Sequence, residues 1–297
     1  FWSQEFLPLK LPSSTYTLNV PTALERTGDF SQSREASGAL ITVVDPFNNR
    51  TPFAGNVIPT SRLDANGLKL MSLFPTPNAQ GPSNTYNWVG LSVNNQPRRD
   101  SILRLDWNLG PKTTFYTRLI QDYQAVEGEF GLTVGLGGGN NQWPQLPISY
   151  QIHSAGAVAT LIHTFNATTV NEFTFGVNRA KQTVDPLSAS RLEANQRSKV
   201  GLTLPQFYPA ANPLGLIPNA TFGGVTNAAQ LLVEGRFPFF GTNNIWNYSD
   251  NLSKVIGTHS LKFGAYLEHT TRNAARSTVF NGTYNFDRDA NNPYDSN

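Results

Sequence analysis

The chain has no cysteine among its 297 residues. Disulfide scaffolds, thiolate zinc sites and cysteine nucleophiles are therefore excluded. Charge is scarce as well: Asp, Glu, Lys and Arg make up 14% of the residues, against about 25% in an average soluble domain. The formal net charge of +2 creates no field that would gather nucleic acid, so no nucleic-acid partner is expected. No run of 18 or more apolar residues occurs, which excludes a transmembrane helix. Also lacking are an initiator Met and a signal peptide, since the chain opens on Phe1-Trp2-Ser3-Gln4 and closes in a polar stretch through Asp295-Ser296-Asn297. The expectation is an internal piece of a longer protein. Gly, Asn, Thr and Ser supply the missing polarity, and an aromatic share of 11% argues against disorder.

What is present is a unit repeated three times. Ser101 to Leu109 and Thr113 to Gln124 flank Gly110-Pro111-Lys112. Ser154 to Phe165 and Thr169 to Thr183 flank Asn166-Ala167-Thr168, and Asn243 to Ile256 and His259 to Thr271 flank Gly257-Thr258. Each unit reads as a β-hairpin with a very short turn, placing hairpins at 101–124, 154–183 and 243–271. Leu103, Leu105, Trp107 and Leu109 share one parity and Arg104, Asp106 and Asn108 the other. After the turns, Phe115, Leu119 and Tyr123 alternate with Arg118 and Asp122, and Phe173, Phe175 and Val177 with Glu172, Thr174 and Asn178. Leu261, Phe263, Ala265 and Leu267 alternate in the same way with Lys262, Gly264 and Glu268. Strand side chains point to opposite faces with period two, so one face is apolar and the other charged. Runs of about 9–12 residues suit a tilted strand crossing a bilayer. The ascending strands are less regular: Ala155 to Ala159 carries little pattern, and Asp250 and Lys254 share parity with Trp246, Tyr248 and Leu252. Either a bulge or a position near the water interface would account for the acid.

Residues 125–153 and 184–242 separate the hairpins, far beyond the roughly 12–15 residues of loops in compact domains. Short turns at one end and long loops at the other are the arrangement of a membrane β-barrel, with the short turns periplasmic and the long loops extracellular. The expected fold is therefore all-β, part of a large antiparallel transmembrane barrel with about seven or eight strands present. A soluble β-sandwich would also alternate and remains open on pattern alone. Residues 1–10 read as a strand end and 11–100 as a long loop, with a short helix near 61–74. There Leu63, Gly67, Leu70 and Phe74 keep helical spacing, Thr60 or Ser61 could cap, and Pro75 stops it.

Several segments resemble the Oar-like TonB-dependent transporters. They are Val20-Pro21-Thr22-Ala23-Leu24-Glu25-Arg26-Thr27-Gly28-Asp29-Phe30-Ser31, then Asp45-Pro46, Asn56-Val57-Ile58-Pro59-Thr60-Ser61-Arg62-Leu63 and Leu73-Phe74-Pro75-Thr76-Pro77-Asn78. Ser249-Asp250-Asn251-Leu252-Ser253, followed by Gly257-Thr258-His259-Ser260-Leu261-Lys262-Phe263-Gly264, is similar to a hairpin of TonB-dependent receptors. The resemblance implies a barrel of about 22 strands with a plugged lumen. It also implies outer-membrane transport of an unidentified large substrate, with the plug and the TonB complex as partners through parts absent here. A passive porin or adhesin-like barrel is one alternative. A secreted carbohydrate-binding protein using Trp88, Trp143 and Phe207 is the other.

No catalytic, cofactor or metal site is expected. His153, His163, His259 and His269 lack metal-ligand spacing. Gly131 to Gly139 leads into no helix and ends on no Lys-Ser/Thr, so it reads as a loop rather than a phosphate cradle. Asp287-x-Asp289-x-Asn291 has Asn292 where a calcium loop needs Gly. No Ser, His and acid grouping suggests a nucleophile, and no enzyme activity is expected. Arg104, Asp106, Arg118, Asp122, Glu172, Lys262 and Glu268 would line the lumen, chiefly as mutual ion pairs.

Overall fold

The computed structural model describes residues 1–12, 15–91, 93–128, 144–233, 237–276 and 280–287. Gly131 to Gly139, Trp143, Asp289 and Asn291 lie outside them. Seven long strands form one antiparallel sheet: β1 (Trp2–Pro12), β2 (Val93–Gly110), β3 (Thr113–Gly128), β4 (Ile148–Asn166), β5 (Thr169–Pro186), β6 (Phe239–Ile256) and β7 (His259–Arg276). Their order in the sheet follows their order in the chain, so every connection is a simple meander. Pro111-Lys112, Ala167-Thr168 and Gly257-Thr258 close the sheet at one end. The turn before β5 is held by Asn166, whose Oδ1 accepts from the Thr168 amide at 3.0 Å. Gly257 sits at φ +58°, where a side chain would be strained. All three long connections emerge at the other end. Among the described residues no helix is long and apolar enough to cross a membrane.

The strands differ from their expected bounds. The hairpins extend well beyond 101–124, 154–183 and 243–271, because β2 to β7 run 16 to 19 residues. β1 is no mere strand end: all 11 of its residues pair with β2, Trp2 opposite Leu103 and Pro12 opposite Val93. Residues 93–100, expected in the loop, belong to β2. Backbone ladders need no side-chain alternation, so pairing continues past the last apolar residue. No bulge accompanies Asp250. The register of β6 is unbroken on both sides, and within the seven-stranded sheet shifts occur only beside the short turns, at Asn108/Gly110 and Thr169/Val170.

The described parts of the long connections fold into a cap. Tyr16–Leu18 pairs with Trp88–Gly90, and Asn219–Phe222 runs parallel to Thr283–Phe286. The helix α1 spans Ala65–Met71, shorter than expected, and its cap is Asp64 rather than Thr60 or Ser61. The Asp64 carboxylate accepts from the Gly67 amide at 2.8 Å, while Thr60–Arg62 forms a separate tight turn. Tyr16, Leu18, Leu70, Phe74, Trp88, Leu202, Ile217 and Leu231 bury one core made wholly of connecting segments. A second core joins Leu146, Leu216, Val233 and Phe237 to the strand ends at Val126, Ile148 and Val184. The second core fastens the cap to the sheet.

Candidate functional site

Direct cross-strand neighbours share a face, so the register sorts every strand residue. One row reads Trp2, Leu103, Leu119, Ala157, Val177, Trp246, His269 across all seven strands. The next rows toward the short turns are Leu105, Thr117, Ala159, Phe175, Tyr248, Leu267 and Trp107, Phe115, Leu161, Phe173, Asp250, Ala265. Ring contacts confirm the sorting: Trp107 stacks on Phe115 at 5.3 Å, Phe175 lies 5.1 Å from Tyr248, and Trp246 stacks on His269 at 5.6 Å. Nothing described covers this belt. Leu105, Trp107, Leu119, Phe173, Phe263 and Leu267 are all exposed, which an aqueous surface would not tolerate as one contiguous patch. Asp250 and Lys254 sit in its turn-side margin. Asp250 accepts from Asn171 Nδ2 at 2.7 Å, and Lys254 Nζ donates to Thr169 Oγ1 at 2.7 Å.

The opposite face is polar. Arg104, Arg118, Val158, Gly176, Asn247 and Glu268 form one row, and Glu5, Asp100, Asp122, Ser154, Ala180, Asn243 and Arg272 another. Arg104 pairs with Asp106 at 2.8 Å and lies 4.3 Å from the Tyr116 ring centroid. Arg98, not singled out from sequence, bridges Asp100 at 3.2 Å and Asp122 at 3.3 Å. Glu268 accepts from the Tyr266 hydroxyl at 2.6 Å. The expected lumen residues thus share one face, and only some of them are ion-paired. No ion pair joins Arg118, Glu172 or Lys262 to another described residue.

In the cap, the residues of the family resemblance are occupied with one another. Thr22 and Glu25 cap reciprocally, amide to side chain, at 2.8 and 3.2 Å. The Arg26 guanidinium donates to the carbonyls of Met71, Phe74 and Pro75 at 2.6, 3.1 and 2.8 Å, tying the first segment to the end of α1. Gly28 has φ +87°. Buried Asn56 accepts from the Val43 amide and donates to the Phe30 and Ile41 carbonyls. Arg62 grips Asp45 through two 2.8 Å bonds. That guanidinium, with help from the Phe47 amide, holds the Asp45 carboxyl below its usual range, and the Ser31 hydrogen bonds do the same for Asp29. Trp88 is buried in the first core and so is unavailable for stacking on a sugar, whereas Phe207 is 87% exposed.

A cavity of about 990 Å³ opens within the cap, walled by Phe30, Phe74, Tyr86 and Phe222 and rimmed by Glu25, Arg34 and Glu35. Apolar walls with a few polar groups suit capture of a ligand. Sequence reasoning missed this cavity because its walls come from segments as distant as Phe30 and Phe222. His153 lies 4.7 Å from the Tyr123 ring, and His163 hydrogen-bonds Thr113 Oγ1 at 2.8 Å. No three His, Asp or Glu side chains among the described residues gather as a metal site.

The family model described as outer membrane beta barrel domain matches residues 1–297. The chain belongs to this family. Its location is therefore the outer membrane, its apolar belt faces lipid, and its polar face turns to the barrel lumen. The short turns are periplasmic and the cap is extracellular. Such a location sets aside the secreted carbohydrate-binding reading. Comparison with the curated proteins and with the solved structures finds no match.

Proposed function

We propose that this chain forms part of the wall and the extracellular cap of an energy-coupled outer-membrane transporter of the TonB-dependent, Oar-like kind. It acts by transport and not by chemistry. Its partners are outer-membrane lipid, a plug seated against the polar lumen face, the TonB complex reached through that plug, and a large substrate met first by the cap. The observation that carries the reading is the role of the resembling residues. Thr22, Glu25, Arg26, Gly28, Asn56, Arg62 and Phe74 all build the cap. A cap with its own buried core supports gated capture over free diffusion, and the charged lumen face offers the plug a hydrogen-bonding wall.

Planar-bilayer conductance of the full-length protein, combined with binding to the periplasmic domain of TonB, tests this. An electrically silent barrel that binds the TonB domain is the expected result. A steady open conductance without TonB binding would favour a passive porin instead.

A further inference from the structure

At the loop end of the lipid-facing belt, the outward surface changes character without changing strands. The next two rows outward are Gln4, Ser101, Gln121, Ala155, Arg179, Asn244, Thr271 and Phe6, Arg99, Tyr123, His153, Lys181, Thr242, Asn273. They carry three permanent cations, Arg99, Arg179 and Lys181, and no carboxylate. All three are exposed, and no ion pair joins any of them to a described residue. On the lumen face at the same height stand Glu5, Asp100 and Asp122. Those carboxylates have cations of their own on the lumen face, Arg98 bridging Asp100 and Asp122 and Arg272 standing in the same row, so Arg99, Arg179 and Lys181 are left on the outward face with no carboxylate beside them. Aromatic rings accompany the cations: Lys181 Nζ lies 5.8 Å from the Phe240 ring centroid. A groove of about 440 Å³ runs between Phe6, Pro8, Pro97, Arg99, Tyr123 and His153.

We propose that this outward band binds the phosphate groups of a phosphorylated glycolipid in the outer leaflet. Its height decides the occupant. The band begins two residues beyond the Leu103–Val177 row, where lipid tails end and headgroups begin. An arginine there presents a planar fork that matches phosphate oxygens. Amphipathic rings at the same level sit where one side is apolar and the other wet. The groove would hold sugar and upper acyl chain beside Arg99, while Arg179 and Lys181 engage phosphate three strands further along. No covalent step is involved.

The test uses the full-length protein extracted from outer membranes, with retained lipid counted by native mass spectrometry. Two lipids are offered in turn, a doubly phosphorylated acylated glucosamine disaccharide and its dephosphorylated form. The wild-type protein should retain the phosphorylated lipid through delipidation and lose the other. The combined variant Arg99→Gln, Arg179→Gln, Lys181→Gln should retain on the order of tenfold less, each cation near an anionic surface contributing a multiplicative factor. A lumen-face set, Arg104→Gln, Arg118→Gln and Arg272→Gln, should retain as much as wild type. Equal retention of both lipids by the wild-type protein would overturn the proposal, and that comparison requires no variant to fold. Equal loss in the lumen-face set would overturn it too. Displacement of the lipid by millimolar inorganic phosphate would reduce the band to a simple anion site and refute the lipid assignment.

Discussion

Arginine placed in turn at Ala155, Ala157 and Ala159 should cost progressively more, because these positions descend the outward face of β4 into the bilayer. Ala155 stands beside Gln121 and Arg179, Ala157 beside Leu119 and Val177, and Ala159 beside Thr117 and Phe175. Alanine is the right host, since replacing it leaves no cavity and removes almost no packing. Four residues at about 3.3 Å each cover ~13 Å of strand, or ~10 Å of depth at a tilt of about 40°. Arginine on a lipid face costs about 0–1 kcal/mol near the interface and about 2–4 kcal/mol at the midplane. The expected order is therefore about 0–1 at Ala155, an intermediate value at Ala157 and about 2–4 kcal/mol at Ala159. Asn247→Arg supplies the comparison on the lumen face, where the new cation faces Glu268 across the ladder and should shift stability by no more than about 1 kcal/mol. Reversible guanidinium unfolding of the full-length barrel in lipid vesicles gives these differences. A flat profile, or Asn247→Arg costing as much as Ala159→Arg, would refute the assignment of faces. A reversed profile would place the membrane at the loop end.

Two further predictions concern the cap. Asp45 has its carboxyl held below the ordinary range by Arg62, so its contribution is present above the unfolded value near ~4 and fades as pH falls through the folded value. Limited proteolysis of the cap should be constant from neutral to mildly acid pH and accelerate below about pH 4, with Asp45→Asn already fast at neutral pH; identical profiles would show the pair to be idle. Gly28→Ala puts a side chain at φ +87° and a Cβ 3.0 Å from the Ile58 carbonyl oxygen. It should destabilise the cap by about 1–3 kcal/mol, seen as faster amide exchange across residues 24–30, and unchanged exchange would mean that the turn relaxes.

The sheet was legible where water and lipid disagree. Leu103 to Leu109 and Phe263 to Leu267 alternate because one face meets hydrocarbon and the other the lumen, and that difference marks the sequence with period two. Beyond the belt both faces are wet. Val93 to Asp100 and Val184 to Pro186 then lose the period while the backbone keeps pairing, so these strand ends had no signal to read. β1 was obscured for a related reason. Pro8 and Pro12 suggest a loop, yet Pro8 faces Pro97 in the register, and a strand with proline is compatible with the sheet edge. Arg98 escaped notice because its partners Asp100 and Asp122 become neighbours only once β2 and β3 are in register.

The cap was illegible for a different reason. Its order comes from single polar side chains that complete backbone hydrogen bonds, not from a periodic apolar face. Asn87 exchanges both bonds with the Val20 backbone at 2.8 Å, and Asn78 does so with Val89 at 2.9 and 2.8 Å. Asn212 serves Leu216 in the same way, across the 2.8 and 3.0 Å bonds of a fully buried pair. Each asparagine replaces one rung of a ladder, which lets irregular chain stay dehydrated without a strand or helix around it. Such a device leaves no pattern in sequence beyond an excess of Asn, Gly and Pro, the same excess that a loose loop shows. The apolar residues that it buries, Tyr16, Leu70, Leu202 and Leu231, are spread across more than two hundred positions, so no local window contains the core that they form.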